Sequence, residues 1–206
     1  MSSTPIAADR HRPIETGAAA QMFESARTHN VWTSRAVSDE LLRSIYERLR
    51  VAPTAFNSSP GRFLFIRTPE AKERLRPHLS PGNLEKTMAA PVNVVIAYDT
   101  RFADKLAQLG APAALAERMT AAPPEMAHET MFRNGTLQGA YMILAARSLG
   151  LDCGPMSGFN NASLDAEFFS NGRWKSNFLC NLGYGDDSAA YERRPRLGFE
   201  EACEVL

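Results

Sequence analysis

Glu125–Leu149 is the longest unbroken helical pattern in the chain, and the remaining segments must be arranged around it. Met131, Leu137, Tyr141, Leu144, Ala145 and Leu149 recur at near-helical spacing. Gly150 follows as the residue type that closes a helix in a left-handed conformation. Apolar side chains lie on several sides of Tyr141–Ala146, so the pattern predicts a helix enclosed by other elements. Two apolar runs suit such a neighbour. Arg62–Arg67, with Phe63, Leu64, Phe65 and Ile66, reads as a buried strand, as does Pro91–Tyr98, with Val92, Val94, Val95 and Ile96. Trp174–Tyr184 alternates in the manner of a strand, and Leu151–Gly158 gives a short strand followed by a turn.

Shorter helices are predicted at Ala18–Ala26, from Ser38 to before Pro53, after Thr68, at Asn83–Ala90 and at Leu164–Phe169. Ser38 is the N-cap of the second, with Asp39 and Glu40 at its positive end. The Ala-rich stretch Thr100–Pro124 predicts helical pieces with a mobile loop. Helices around a few strands, without regular βαβ repetition, give an α+β class. The length of 206 residues suits one domain, taken as residues 18–206 behind a polar, flexible leader at 1–17.

Composition removes several function classes. Lys+Arg 23 balances Asp+Glu 23, so no global basic field exists to hold nucleic acid. The three cysteines, Cys153, Cys180 and Cys203, form no CxxC, which argues against a disulfide framework or a thiolate zinc site. No apolar run approaches the roughly 20 residues of a membrane span, and no export signal is visible; a cytoplasmic protein is expected. The chain has no P-loop, no GxGxxG, no HExxH and no GxSxG. His11, His29, His78 and His128 stand apart, as structural or surface histidines do.

Five short polar clusters remain between the apolar elements: Arg27-Thr28-His29-Asn30, Pro53–Pro60, Asn83 with Lys86, Gly154–Phe159, and Arg193-Arg194-Pro195-Arg196. Each alone reads as a loop, a cap or solvated charge. Their order and spacing, in the stretches ARTHNVW, AVSDELLRSIYE, PTAFNSSPGRFLFIRT, GNLEKTMAAPV, ETMFRNGTLQGAYMILAARSLGLDCGPMSGF, SNFLCNLGYGD and RRPRLGFEEA, resemble the nitroreductase family of FMN-dependent NAD(P)H oxidoreductases. The resemblance spans Ala19–Leu206 and is nearest to the malonic semialdehyde reductase branch.

The resemblance implies a nitroreductase-like fold, with a mostly antiparallel central sheet flanked by helices, in an intertwined homodimer holding FMN at its interface. It places the FMN phosphate on Arg27, Thr28 and Asn30, where guanidinium and hydroxyl groups can donate charge-assisted bonds. Ala26 and Asn30 stand where many members carry basic groups, so Arg193 and Arg196 are expected to supply the missing charge. Pro53, Thr54, Ala55 and Asn57 correspond to a loop reaching the flavin from the partner chain, with Ser59 and Gly61 replacing the usual Gln and Trp. Asn83 and Lys86 correspond to the pair at the flavin's pyrimidine edge, where the ammonium favours reduced flavin. Pro155, Met156, Ser157 and Gly158 correspond to the turn behind the ring, with a backbone N–H of Ser157 or Gly158 facing flavin N5. Cys153 is expected to be a small buried residue.

The activity so implied is hydride transfer from NADPH or NADH through flavin N5 to a small-molecule acceptor, with no catalytic side chain and no metal. Malonic semialdehyde, reduced to 3-hydroxypropionate, is the acceptor of that branch. A broader nitro-, quinone- or enone-reductase and a non-redox flavin-binding protein are the alternatives. Residues 100–124 are expected to border the pocket.

Overall fold

In this computed structural model, which describes residues 11–206, the core is one four-stranded sheet. Its strands are β1 (Gly61–Ile66), β2 (Val92–Asp99), β3 (Asp152–Met156) and β4 (Trp174–Gly183), in the order β1-β2-β4-β3. Every pairing is antiparallel: Gly61 faces Tyr98, Val92 faces Leu182 and Asp152 faces Gly183. The helices are α1 (Thr16–Met22), α2 (Asp39–Leu49), α3 (Pro69–Leu75), α4 (Pro81–Ala89), α5 (Ala113–Thr120), α6 (Pro124–Ser148), α7 (Asn161–Phe168) and α8 (Phe199–Ala202). The α+β expectation is met, and residues 1–10 of the predicted leader lie outside the described residues.

The burial of β2 along its whole length, with the apolar run Val94–Tyr98, has a direct cause. The strand is central and covered on both faces, so successive residues feed two different cores. Val92, Val94 and Ile96 pack with Leu42, Ile45 and Leu49 of α2 and with Met142 and Ala146 of α6. Val95 and Ala97 point the other way, toward Leu75 and Leu164. The predicted cap is present, with the Ser38 hydroxyl accepting from Leu41 N–H, and Thr68 caps α3 in the same way by accepting from Ala71 N–H.

Three boundaries or faces differ from expectation. The first helix starts at Thr16 and stops at Met22, short of Ala26. The carbonyls beyond it turn to arginine side chains instead of continuing the helix. Within 100–124, a 3-10 turn at Phe102–Lys105 and α5 build a small satellite core with Tyr98 and Met131. The helix α6 lies where predicted but is rotated. Its buried face is Met131, Asn134, Gly135, Gln138, Gly139, Met142, Ala145 and Ala146, whereas Leu137 is exposed. Small residues decide the rotation: a Cβ at Gly139 would stand 2.6 Å from the Phe178 ring, so only glycine lets this helix lie on the sheet.

Candidate functional site

Two adjoining clefts lie beside the β3 edge of the sheet. The segment after α1 runs along that edge, with Thr28 bridging Cys153 and Trp32 bridging Gly185. Extended backbone sends alternate side chains to opposite sides. His29 therefore turns inward, while Thr28 and Asn30 face the first cleft. The His29 ring is buried with Nε2 3.2 Å from Asp187 and Nδ1 3.4 Å from Asp152. Asp152 also accepts from Gly185 N–H, so the carboxylate joins histidine, strand and tail.

The first cleft, about 540 Å³, is walled by Arg27, Thr28 and Asn30, by Arg147 at the end of α6, and by Arg193, Arg194 and Arg196 of the tail. Among the described residues, five arginines thus face a space whose one acidic lining residue is Glu192. The chain leaving α1 organises three of them. Arg193 Nη2 donates to the carbonyls of Phe23, Glu24 and Ala26, at 3.2, 2.6 and 2.9 Å. Arg27 Nη1 donates to those of Glu24 and Ala26, and Arg147 Nη1 to that of Met22. Carbonyls near a helix C-terminus carry partial negative charge, which suits guanidinium groups.

Asn30, Tyr191 and Arg194 continue into the second cleft, about 740 Å³, where Lys86 and Trp32 form part of the wall. Lys86 is carried by α4, whose placement is fixed from several sides. The Lys86 carbonyl accepts from Trp32 Nε1 at 3.1 Å and from Asn181 Nδ2 at 3.2 Å. The buried Asn93 amide donates to the Thr87 carbonyl and to Asn181 Oδ1. Lys72 Nζ donates to the carbonyls of Met88 and Ala90 at the helix end, and burial pushes that ammonium's pKa down.

The same helix gathers the fourth cluster. Asn83 Nδ2 donates to the Gly158 carbonyl at 2.8 Å, and Thr87 Oγ1 lies 3.3 Å from Met156 Sδ. A Cβ at Gly158 would stand 2.5 Å from Asn83 Nδ2, so Asn83 requires this glycine. Pro155 is exposed on the edge strand, and Ser157 is exposed just past its end. Cys153 is fully buried, as expected.

The second cluster is elsewhere. Neither cleft is lined by Pro53, Thr54, Ala55 or Asn57. Their loop sits against the N-terminal half of α6, where Ala55 N–H donates to Asn134 Oδ1 at 2.8 Å. Asn57 Nδ2 donates to the Leu109 carbonyl, which ties residues 100–124 to this loop and not to the cleft walls of the same chain. Phe56, Asn57 and Ser59 all have positive φ, at 56°, 53° and 40°. Non-glycine residues held there cost of order 1–3 kcal/mol each.

One protomer therefore brings together the first and fifth clusters, and α4 carries the third against the fourth. Sequence reasoning missed Arg147, His29 as a positioning residue, Trp32 and Asn181. Among the described residues, no group of His, Cys, Asp and Glu could hold a metal ion, and no helix is long and apolar enough to cross a membrane.

Known proteins resemble this chain in sequence and in fold. A profile described as "Nitroreductase family" matches residues 24–184. A Rhodopseudomonas palustris protein described as "Putative NADH dehydrogenase/NAD(P)H nitroreductase" is 57% identical over 186 residues, covering 90% of this chain and 94% of that protein. A nitroreductase family protein from Streptococcus pneumoniae is similar in structure with a TM-score of 0.80 at 20% identity, covering 91% of this chain and 100% of that one. A structure from Exiguobacterium sibiricum, in complex with FMN, has a TM-score of 0.80 at 19% identity, covering 90% and 96%. The two structures show the fold.

Proposed function

Since this chain belongs to the nitroreductase family, we propose that it is an FMN-dependent NAD(P)H oxidoreductase that works in the cytoplasm as an intertwined homodimer. The observation that carries the reading is the arginine-lined cleft opening into the Lys86 cleft. An elongated ligand with a phosphate at one end and a flat polar ring at the other fits that pair. Arg147 lines the same cleft, and its buried Nε has no acceptor among the described residues.

Bound FMN would supply the hydride-carrying centre that this chain lacks. The protein's task is then placement and charge. Arg27, Thr28, Arg193 and Arg196 hold the phosphate, with Asn30 at the junction toward the ring. Lys86 sets positive charge beside the ring's pyrimidine edge, where reduction adds negative charge. Asn83 fixes the turn Pro155–Gly158 that backs the ring, and the His29 clamp keeps Thr28 and Asn30 facing the cleft.

The remaining cluster supports the homodimer. The loop is fastened at Asn134 and the arginine cleft contains Arg147, about 20 Å apart along α6 at 1.5 Å per residue. An antiparallel second α6 would bring Pro53, Thr54, Ala55 and Asn57, with residues 100–124, to the partner's cleft. The outward face of α6 exposes Phe132 and Leu137, which such a contact covers. The tail exposes Leu197, Phe199 and Val205, and β1 has an unpaired edge beside Tyr46, Phe63 and Phe65 that can receive them from the partner.

For the acceptor, the stretch-by-stretch resemblance supports malonic semialdehyde, reduced to 3-hydroxypropionate, while the family description supports nitro compounds, quinones or enones. A visible spectrum of the purified protein, repeated after anaerobic NADPH, tests the first tier. A flavin spectrum that bleaches is expected; bound flavin that does not bleach would make this a flavin-binding protein without redox function. Turnover with malonic semialdehyde and with a nitroaromatic then tests the second tier. Efficient nitroaromatic turnover with none of the semialdehyde selects the broader reductase.

A further inference from the structure

We infer that Arg147, on the last turn of α6, contacts the phosphate group of the ligand and completes an anion subsite otherwise formed by arginines from the two ends of the chain. The inference rests on the FMN reading above and deepens it by naming a residue on the central helix. Four of the arginines lining the cleft lie on exposed or half-buried irregular segments at residues 27 and 193–196. Arg147 differs in being carried by the longest helix of the fold.

Its guanidinium is already fixed. Nη1 donates to the Met22 carbonyl at 2.9 Å, and the Arg147 carbonyl receives Gln21 Nε2. Its Nε is buried and has no acceptor among the described residues. A buried donor without a partner is disfavoured, and no ion pair among the described residues involves this arginine. The neighbouring wall position, Ala26, brings only a methyl group and leaves room beside it. Five guanidinium groups around one cleft repel one another until an anion enters. A phosphate dianion has three terminal oxygens and can accept from several of them at once. Arg147 thus acts as a preset donor, and the exposed arginines close from outside.

The test uses apo-protein titrated with FMN and, in parallel, with riboflavin, which lacks the phosphate, reading quenching of flavin fluorescence. Arg147→Met keeps the apolar stem and removes the charge. Its FMN Kd is expected to rise roughly tenfold or more, the size of a lost charge-assisted hydrogen bond, with riboflavin binding unchanged. Arg147→Lys is expected to recover part of the preference for FMN. Equal weakening toward both flavins, or an unchanged FMN Kd, overturns the inference and leaves Arg147 as a support for α1. If Arg147→Met does not fold, the uncharged Arg147→Gln decides: a wild-type preference for FMN over riboflavin overturns the inference and a reduced one supports it. A wild-type protein that binds FMN no better than riboflavin overturns the phosphate reading and this inference together. A wild-type preference retained in Arg147→Met removes only the role of Arg147.

Discussion

Asp99 is the side chain on which the far end of the sheet depends. It is 1% exposed and accepts from Arg62, from Arg173 through two nitrogens, and from Arg101 N–H. Burial pushes its carboxyl pKa up, but the hydrogen bonds and the two guanidinium charges outweigh it and hold the pKa below the usual carboxylate range. A carboxyl depressed on folding stabilises the protein above its unfolded pKa, about 3.9. That stability is lost as pH falls through the folded value. Asp99→Asn at pH 7 is expected to cost about 3 kcal/mol, a fall of roughly 6–12 °C in Tm. The difference from wild type should shrink as melts are repeated below pH 4; a constant difference would show that Asp99 acts without its charge. At the other end, Lys86→Ala should fold normally and shift the bound flavin's midpoint potential to more negative values. An unchanged potential with unchanged flavin affinity would make Lys86 a surface residue. The arginines at 27, 193 and 196 were legible in the sequence because a family pattern singled them out. Arg147 was not, because a basic residue on the last turn of an apolar helix is what any helix C-terminus accepts.

At the scale of elements, the strained loop and the sheet-facing side of α6 meet at two amides. Asn134 and Gln138 project from the sheet-facing side of the helix and accept from Ala55 N–H and Gly61 N–H. Asn134 is itself oriented by donating to the Thr130 carbonyl. These contacts hold a segment with three positive φ values, aided by the Thr54 hydroxyl accepting from Ser59 N–H. Asn134→Ala should lower stability by about 1 kcal/mol, the worth of a typical hydrogen bond, and speed chymotrypsin cleavage at the exposed Phe56. A cleavage rate equal to wild type would mean the loop keeps its shape without this anchor. The strands were readable because apolar runs between turn residues leave little choice. The face of α6 was not. Both Leu137 and Met142 belong to plausible apolar stripes, and hydrophobicity alone favours the larger side chains. Close packing reverses that preference, since the helix approaches the sheet through Gly135 and Gly139 and leaves Leu137 outside. Two glycines and two amides on one helical face were the available signal.

For the whole molecule, the proposed division of the site between two chains makes a separable prediction. The arginine cleft, the proposed phosphate end, is built within one chain, from the segment after α1, the end of α6 and the tail. The loop end is proposed to come from the other. Placing a charge on the outward face of α6, as in Leu137→Asp, puts an ion into any contact that covers that face, and burying an unpaired charge is prohibitive. Leu137 is 39% exposed in the isolated chain, so the substitution spares the protomer's own core. Sedimentation should then show a folded monomer. Its FMN Kd should be at least about tenfold weaker, roughly 1.4 kcal/mol, because the partner's loop is gone. Its preference for FMN over riboflavin should survive, because the arginines remain. A monomer that binds FMN as tightly as wild type would show that each chain holds its cofactor alone. The loop at 53–60 would then owe its strain to something other than flavin. A variant that stays dimeric with unchanged binding would move the interface away from α6 and onto the β1 edge and the tail.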